Sequence, residues 1–232
     1  LKYHRRLLII LLIILVLLFI AVNRQGLSLP GSKSPQNHFT TSKVENIPSP
    51  VESIPVDQLT TPDLILLGAR QEAKNRTLYD ASYQVIAYPA GDVSPDRGAC
   101  TDVVIRAFRN AGIDLQQLIH EDMQQDFSNY PTNWGLNAPD PNIDHRRVPN
   151  QVTFLKHYGQ KLSLDPVQYP EDWKWGDVVY WRFANGDEHC GIVSDRLGSD
   201  NLPLVIHNAG VCREENALLR WEVTGHYRYP SQ

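Results

Sequence analysis

An α+β fold follows from the order of patterns along the 232-residue chain. Apolar residues at helical spacing come first, after Thr61-Pro62-Asp63 and again after Cys100. Runs rich in β-branched and aromatic residues come later, from Gly176 onward, and short turns separate them. Helices followed by turn-linked strands predict N-terminal helices packed on an antiparallel sheet, with the strands in a meander.

Residues 1–60 differ in composition from the rest. Lys2-Tyr3-His4-Arg5-Arg6 precedes Leu7 to Val22, sixteen residues without a polar group. Spanning a bilayer takes about 17 to 25 apolar residues, so this run sits at the short end. Its basic N-terminal flank fits a signal anchor with the N-terminus in the cytoplasm. A cleaved signal peptide is the alternative, but no Ala-x-Ala site follows Val22. Residues 1–23 are therefore read as a transmembrane helix and 24–60 as a Pro/Ser/Thr-rich linker. Residues 61–232 are read as the folded domain. Leu1 is either a translated non-standard start codon or the edge of a fragment.

The charge divides the same way, with a net of +3 up to Thr60 and −7 beyond it. An acidic domain argues against nucleic acid as a partner, because phosphate binding needs concentrated positive charge.

Within the domain, Thr61-Pro62-Asp63 signals a helix start for Leu64, Ile65, Leu67 and Ala73. Tyr79 to Tyr88 suits a short strand or an ordered loop, and Pro89-Ala90-Gly91-Asp92 a turn. A helix opening at Cys100 carries Val103, Val104, Ala107 and Phe108 and stops at Gly112. Ile113 to Val148 reads as a long polar and aromatic insert, of the kind that lines functional surfaces. A further helix covers Asn150 to Tyr158. Strands are predicted at Gly176–Phe183, His189–Asp195 and Leu202–Asn208, with a closing strand between Trp221 and Tyr229.

Three chemical groups stand out in this layout. Cys100 opens a helix, where free N–H groups and the helix dipole favour a thiolate. His189 opens one strand and His207 ends the next. A cysteine hydrolase needs such a set: a nucleophile, an imidazole that takes its proton, and a polar group that orients the imidazole. Cys100, His189 and His207 fill those roles in order. Asn208 is the alternative to His207, because neighbours on a strand face opposite sides.

Tyr88-Pro89-Ala90-Gly91-Asp92, Arg97-Gly98-Ala99-Cys100-Thr101-Asp102, Asp140-Pro141-Asn142-Ile143-Asp144-His145-Arg146-Arg147 and Thr224-Gly225-His226-Tyr227-Arg228-Tyr229 resemble a bacterial family, domain of unknown function 1287, from about Ala69 to Tyr229. More distantly, Cys100, His189-Cys190-Gly191-Ile192-Val193 and Val205-Ile206-His207 resemble the NlpC-type peptidases of the papain-like superfamily. That second resemblance implies a papain-like domain, a Cys-His-His site and an oxyanion role for Tyr88. The sequence departs from it at Ala99-Cys100-Thr101-Asp102, where the usual surround is Asp-Cys-Ser-Gly, and in the 113–148 insert.

The expected function is a membrane-anchored hydrolase of amide bonds outside the cytoplasm, on cell-wall (peptidoglycan) peptides. Its place is the inner membrane facing the periplasm, or the secreted fraction if the N-terminal segment is cleaved. The alternatives are a papain-like acyltransferase or transamidase, and a non-catalytic wall-binding module. His145, Arg146 and Arg147, beside Asp144, form a candidate cationic patch for substrate carboxylates, with structural ion pairing as the other reading. No cofactor is expected, and His120-Glu121-Asp122 lacks the spacing of a metal site. Asp102 is expected to point away from the sulfur. Cys190 and Cys212 either pair in an oxidising compartment or stay free.

Overall fold

The computed structural model describes residue 44 and residues 47–231. The apolar run 7–22 and most of the linker therefore lie outside the described residues. Among the described residues no helix is long and apolar enough to cross a membrane.

Among the described residues four α-helices, α1 (Thr61–Asn75), α2 (Cys100–Asn110), α3 (Leu115–Gln125) and α4 (Val148–Tyr158), accompany an antiparallel sheet. Its strands are β3 (Gln160–Lys161), β4 (Val178–Arg182), β5 (Glu188–Leu197), β6 (Pro203–Asn208), β7 (Cys212–Glu215) and β8 (Glu222–Arg228). A separate parallel pair joins β1 (Leu78–Tyr79) to β2 (Arg97–Gly98). The sheet order β3-β8-β4-β5-β6-β7 keeps the expected meander from β4 to β7. The expected closing strand is present as β8, which returns across the sheet and pairs with β4.

Local chemistry accounts for the helix starts. The Asp63 carboxylate accepts the Thr60 N–H at 2.8 Å and its hydroxyl at 2.6 Å, closing the first turn of α1. In α3 the Asp114 side chain accepts the Gln116 N–H at 3.1 Å. This helix lies inside the 113–148 stretch read as an insert. Its apolar face is narrow, with Leu115, Ile119 and Met123 buried among Gln, His, Glu and Asp.

Alternation along the strands gives the sheet two buried faces. Val178, Tyr180, Cys190, Ile192 and Ile206 share one core with Val104, Phe108 and Leu66 of the helices. Val179, Trp181, Val193 and Val205 face the other way, against Trp173, Ala217 and Leu218. α1 crosses α2 at Gly68, where a Cβ would meet the Asn110 Cβ at 2.6 Å and the Ala107 Cα at 2.9 Å.

The last part of the stretch read as linker is docked on this domain. Ser49 Oγ donates to Asp195 at 2.6 Å, the Val51 N–H donates to the same carboxylate at 2.9 Å, and Val51 is buried. Arg70 closes the clamp, reaching Asp195 at 2.6 Å, Glu214 at 2.8 Å and Ser49 Oγ at 2.8 Å. Arg196 joins Glu214 at 2.6 Å to Glu52 at 3.0 Å.

Removing one partner of a buried ion pair leaves an uncompensated charge, a loss of about 3–5 kcal/mol. Arg70→Ala is expected to destabilise the domain by about that much in urea unfolding. A change below about 1 kcal/mol would mean that the clamp behaves like a solvent-screened surface pair.

Candidate active site

Cys100 is the first residue of α2, and the segment before it is fixed on both sides. Gly98 pairs with Tyr79 in the β1–β2 ladder, and the Asp80 N–H donates to the Gly98 carbonyl at 3.1 Å. The Asn208 side chain donates to the same carbonyl at 2.9 Å and to the Thr77 carbonyl at 3.1 Å. Asn208 therefore holds the approach to the cysteine and does not orient a histidine.

Asp102 reaches back to accept the Ala99 N–H at 2.6 Å. Both of its oxygens also take Arg146, at 2.9 Å each, in a buried bidentate pair. The carboxylate is thus engaged by the Ala99 N–H and by Arg146. Arg146 also donates to the Ser82 carbonyl at 2.8 Å and the Asp80 carbonyl at 3.2 Å. Of the two readings of the patch, structural pairing holds for Arg146, although it edges the cleft.

Consecutive residues of β5 point to opposite faces of the sheet. Cys190 faces the helices and shares their core with Cys100. His189 faces the other side, with its ring 5.6 Å from Trp181, 5.0 Å from Phe183 and 5.4 Å from Trp221. The Cys100 thiol sits at the helix tip, where Cys190 and His189 are the neighbours that lower its pKa.

From His189 a chain of polar contacts runs outward across three strands. Its Nε2 lies 2.9 Å from His207 Nδ1, and His207 Nε2 lies 3.1 Å from the Glu215 carboxylate, which also accepts Arg220 at 2.8 Å. The register explains the alignment. Gly191 pairs with His207, so His189 is its diagonal neighbour on the same face. His207 pairs with Arg213, which places Glu215 diagonally beyond it. Gly191 leaves room between the rings, since a Cβ there would lie 2.9 Å from the His207 Cβ.

These contacts have one consistent direction. A carboxylate only accepts, so His207 Nε2 must donate to Glu215. Burial lowers the His207 pKa, outweighing the hydrogen bond to Glu215, so the ring is neutral at pH 7 and its Nδ1 is an acceptor. His189 Nε2–H then donates, which leaves His189 Nδ1 outside this pair. Burial works to raise the Glu215 pKa, but hydrogen bonds from His207 and Arg220 outweigh it and hold the carboxylate at about 2.

The Cys100 thiol is held well below its ordinary range. The hydrogen bond from Cys190 lowers it first, burial opposes, and the hydrogen bond and charge of His189 lower it further. The Cys190 thiol is pushed well up, by burial first and then by its bond to Cys100. Cys212 sits elsewhere, in β7, where burial raises its thiol too. All three cysteines are free, so the pairing of Cys190 with Cys212 is not formed.

A cleft of about 630 Å³ opens over Cys100 and His189, walled by Tyr79, Trp134, Arg147, Phe183 and Glu188. Tyr88 is not among the residues lining it; its ring packs edge-on against His120 at 4.9 Å. Tyr79 is the tyrosine of this cleft, its phenol pKa raised by burial and then by negative charge at Cys100. Asp144 is buried, accepting the Asp140 N–H and Arg147. His145 is buried beside it, where burial, then the charges of Arg146 and Arg109, lower its pKa to about 3. A neutral ring adds no positive charge, so the cationic patch reduces to Arg147. That guanidinium lies 4.1 Å over the Trp134 ring and 2.9 Å from Asp144.

Sequence reasoning missed Glu215 and Tyr79. The signal for Glu215 was the Ala209-Gly210 turn signal, which makes a hairpin and sets Glu215 diagonal to His207. Tyr79 gave no local signal, since its place depends on pairing with Gly98.

Iodoacetamide should alkylate Cys100 faster than Cys190 or Cys212, with a pH midpoint below the usual thiol value of about 8.5. Glu215→Gln removes the negative end of the chain, so positive charge on His189 is less favoured and the thiolate loses its partner. The Cys100 midpoint should therefore move up in pH. An unmoved midpoint, read by mass spectrometry of the labelled peptide, would disconnect Glu215 from the thiol.

The chain is 44% identical over 192 residues to the uncharacterized protein YijF of Escherichia coli (strain K12), covering 82% of this chain and 92% of that protein. No solved structure matches it. A family model described as domain of unknown function (DUF1287) matches residues 66–229, which take in α2, the insert and every strand of the main sheet. The chain belongs to the DUF1287 family.

Proposed function

We propose that the protein is a cysteine hydrolase with a papain-like, NlpC-type arrangement, cleaving amide bonds in cell-wall peptides. The observation that carries this reading is the directed chain His189–His207–Glu215, whose His189 end shares a cleft with Cys100, a thiol held below its ordinary pKa in part by His189. Hydrogen bonds of one polarity are what an acid–base partner of a nucleophile requires, because they fix both its tautomer and its orientation.

In this reading the Cys100 thiolate attacks the carbonyl carbon of a bound amide. First-turn N–H groups of a helix have no intrahelical partner, so the Cys100 N–H is available to the oxyanion. The Tyr79 hydroxyl is the second candidate donor. His189 Nδ1–H protonates the leaving amine, which departs and leaves a thioester on Cys100. Water, with its proton taken by His189, then attacks the thioester and releases the acid. His207 and Glu215 act as positioning residues throughout.

Arg147 on the cleft wall supports a substrate bearing a carboxylate, as wall peptides do. The apolar run 7–22, read as a membrane anchor, supports action outside the cytoplasm.

Incubation of the full chain with purified wall fragments, followed by mass analysis, is expected to release peptide products. Cys100→Ala should abolish the release, and His189→Ala should slow it by at least about a hundredfold. Equal products from wild type and Cys100→Ala would overturn the proposal, as would no products from either.

A further inference from the structure

The cleft carries a charge pattern that the hydrolytic steps do not use. Its two arginines are placed differently. Arg146 is spent on Asp102 and on the carbonyls of Ser82 and Asp80. Arg147 gives only Nη1 to Asp144, at 2.9 Å, and its guanidinium is held 4.1 Å over the Trp134 ring. Its Nε and Nη2 donors stay available to a ligand.

Another wall of the cleft has the reverse charge. The β4–β5 hairpin brings Asp187 and Glu188 to it, directly before His189, and both are exposed. Because β5 alternates, Glu188 lies on the same face as Cys190, the face on which α2 packs. Asp187 accepts the Asn185 side-chain amide at 2.7 Å, and Glu188 accepts no hydrogen bond from the described residues. Among the described residues no cation pairs with either carboxylate. Arg182 stands opposite Glu188 in the strand register, but it makes no ion pair with it and does not line the cleft.

A substrate reaching Cys100 therefore meets a guanidinium on one wall and carboxylates on another. A carboxylate is drawn to the first and repelled by the second, and an ammonium behaves in the opposite way. The cleft volume of about 630 Å³ suits a ligand of short-peptide size.

We propose that Glu188, with Asp187 beside it, is a specificity-determining residue that selects peptides carrying a free ammonium group as well as a free carboxylate. This inference rests on the proposed hydrolase reading and names its substrate class. Arg147 takes the carboxylate and Glu188 the ammonium, so the two poles fix the direction in which the peptide lies across Cys100. A peptide with carboxylates alone meets repulsion at Glu188 and is rejected.

The test uses the full chain and soluble wall fragments in three forms: untreated, N-acetylated and N-succinylated. These put a positive, a neutral and a negative group at the same nitrogen. In a mixed reaction the wild type is expected to cleave untreated fragments about fivefold faster than acetylated ones, the effect of one exposed ion pair, with succinylated fragments slowest. Glu188→Gln should remove the preference, and Glu188→Lys should turn it toward the succinylated form. Rate ratios within one mixture cancel any effect of the substitution on the neighbouring His189. Equal wild-type rates on untreated and acetylated fragments would overturn the proposal, as would an unchanged preference in Glu188→Gln. Partially acetylated fragments that survive wild-type digestion should share one acetylated amine, amino-terminal or side-chain, whereas survivors acetylated at random would count against selection.

Calorimetric binding of the three forms to Cys100→Ala separates this inference from the hydrolase reading. If no form is cleaved, or if Cys100→Ala cleaves like the wild type, that reading falls while the affinities still score the two poles. Tighter binding of untreated than of acetylated fragments, lost when Glu188→Gln is added, supports the selection. Equal affinities, or no binding of any form, would overturn it.

Discussion

One buried carboxylate, Asp102, accepts the Ala99 N–H and both arms of Arg146, and so fixes the first turn of α2 against the carbonyls of Asp80 and Ser82. The helix that carries Cys100 would otherwise be free to fray where its position matters most. Pairing with Arg146 answers the Asp102 charge two residues from the Cys100 thiol. The Thr101 hydroxyl adds a bond to the Arg146 carbonyl at 3.0 Å. The thiol, the β1–β2 ladder and the 113–148 stretch therefore meet at one ion pair.

The second half of the site depends on the sheet having two buried faces. Because β5 alternates, one strand offers a thiol to the helices and an imidazole to an aromatic box of Trp181, Phe183 and Trp221. That box excludes water, which strengthens the polar contacts running from His189 to Glu215. Arg220 at the outer end supplies the charge that keeps Glu215 ionised, so the polarity of the chain is set near the surface and felt at its buried end.

Much of this was legible in the sequence, and the reasons differ by residue. Cys100, His189 and His207 stood out because each sits at an element boundary marked by composition. The α+β order was readable from the change of hydrophobic period along the chain. What escaped was relational. Tyr79 rather than Tyr88 lines the cleft through a two-residue strand pairing, and Glu215 enters through the register of a hairpin. Arg146 looked like a ligand for carboxylates because its carboxylate partner lies 44 residues earlier. Helix α3 hid because only one narrow side of it is apolar.

The clamp of Arg70 on Asp195, Glu214 and Ser49 has a mechanical consequence. Tension arriving along the chain from its N-terminal side would load the Ile47 carbonyl on Arg196 first, then Ser49 and Val51, and through Asp195 it would spread into the middle of the sheet. Several short polar bonds, those of Arg70 in α1 among them, share that load in parallel, so the first element to yield would be this strap, ahead of the helix that carries Cys100. The fold has, in effect, a strain relief built ahead of its site.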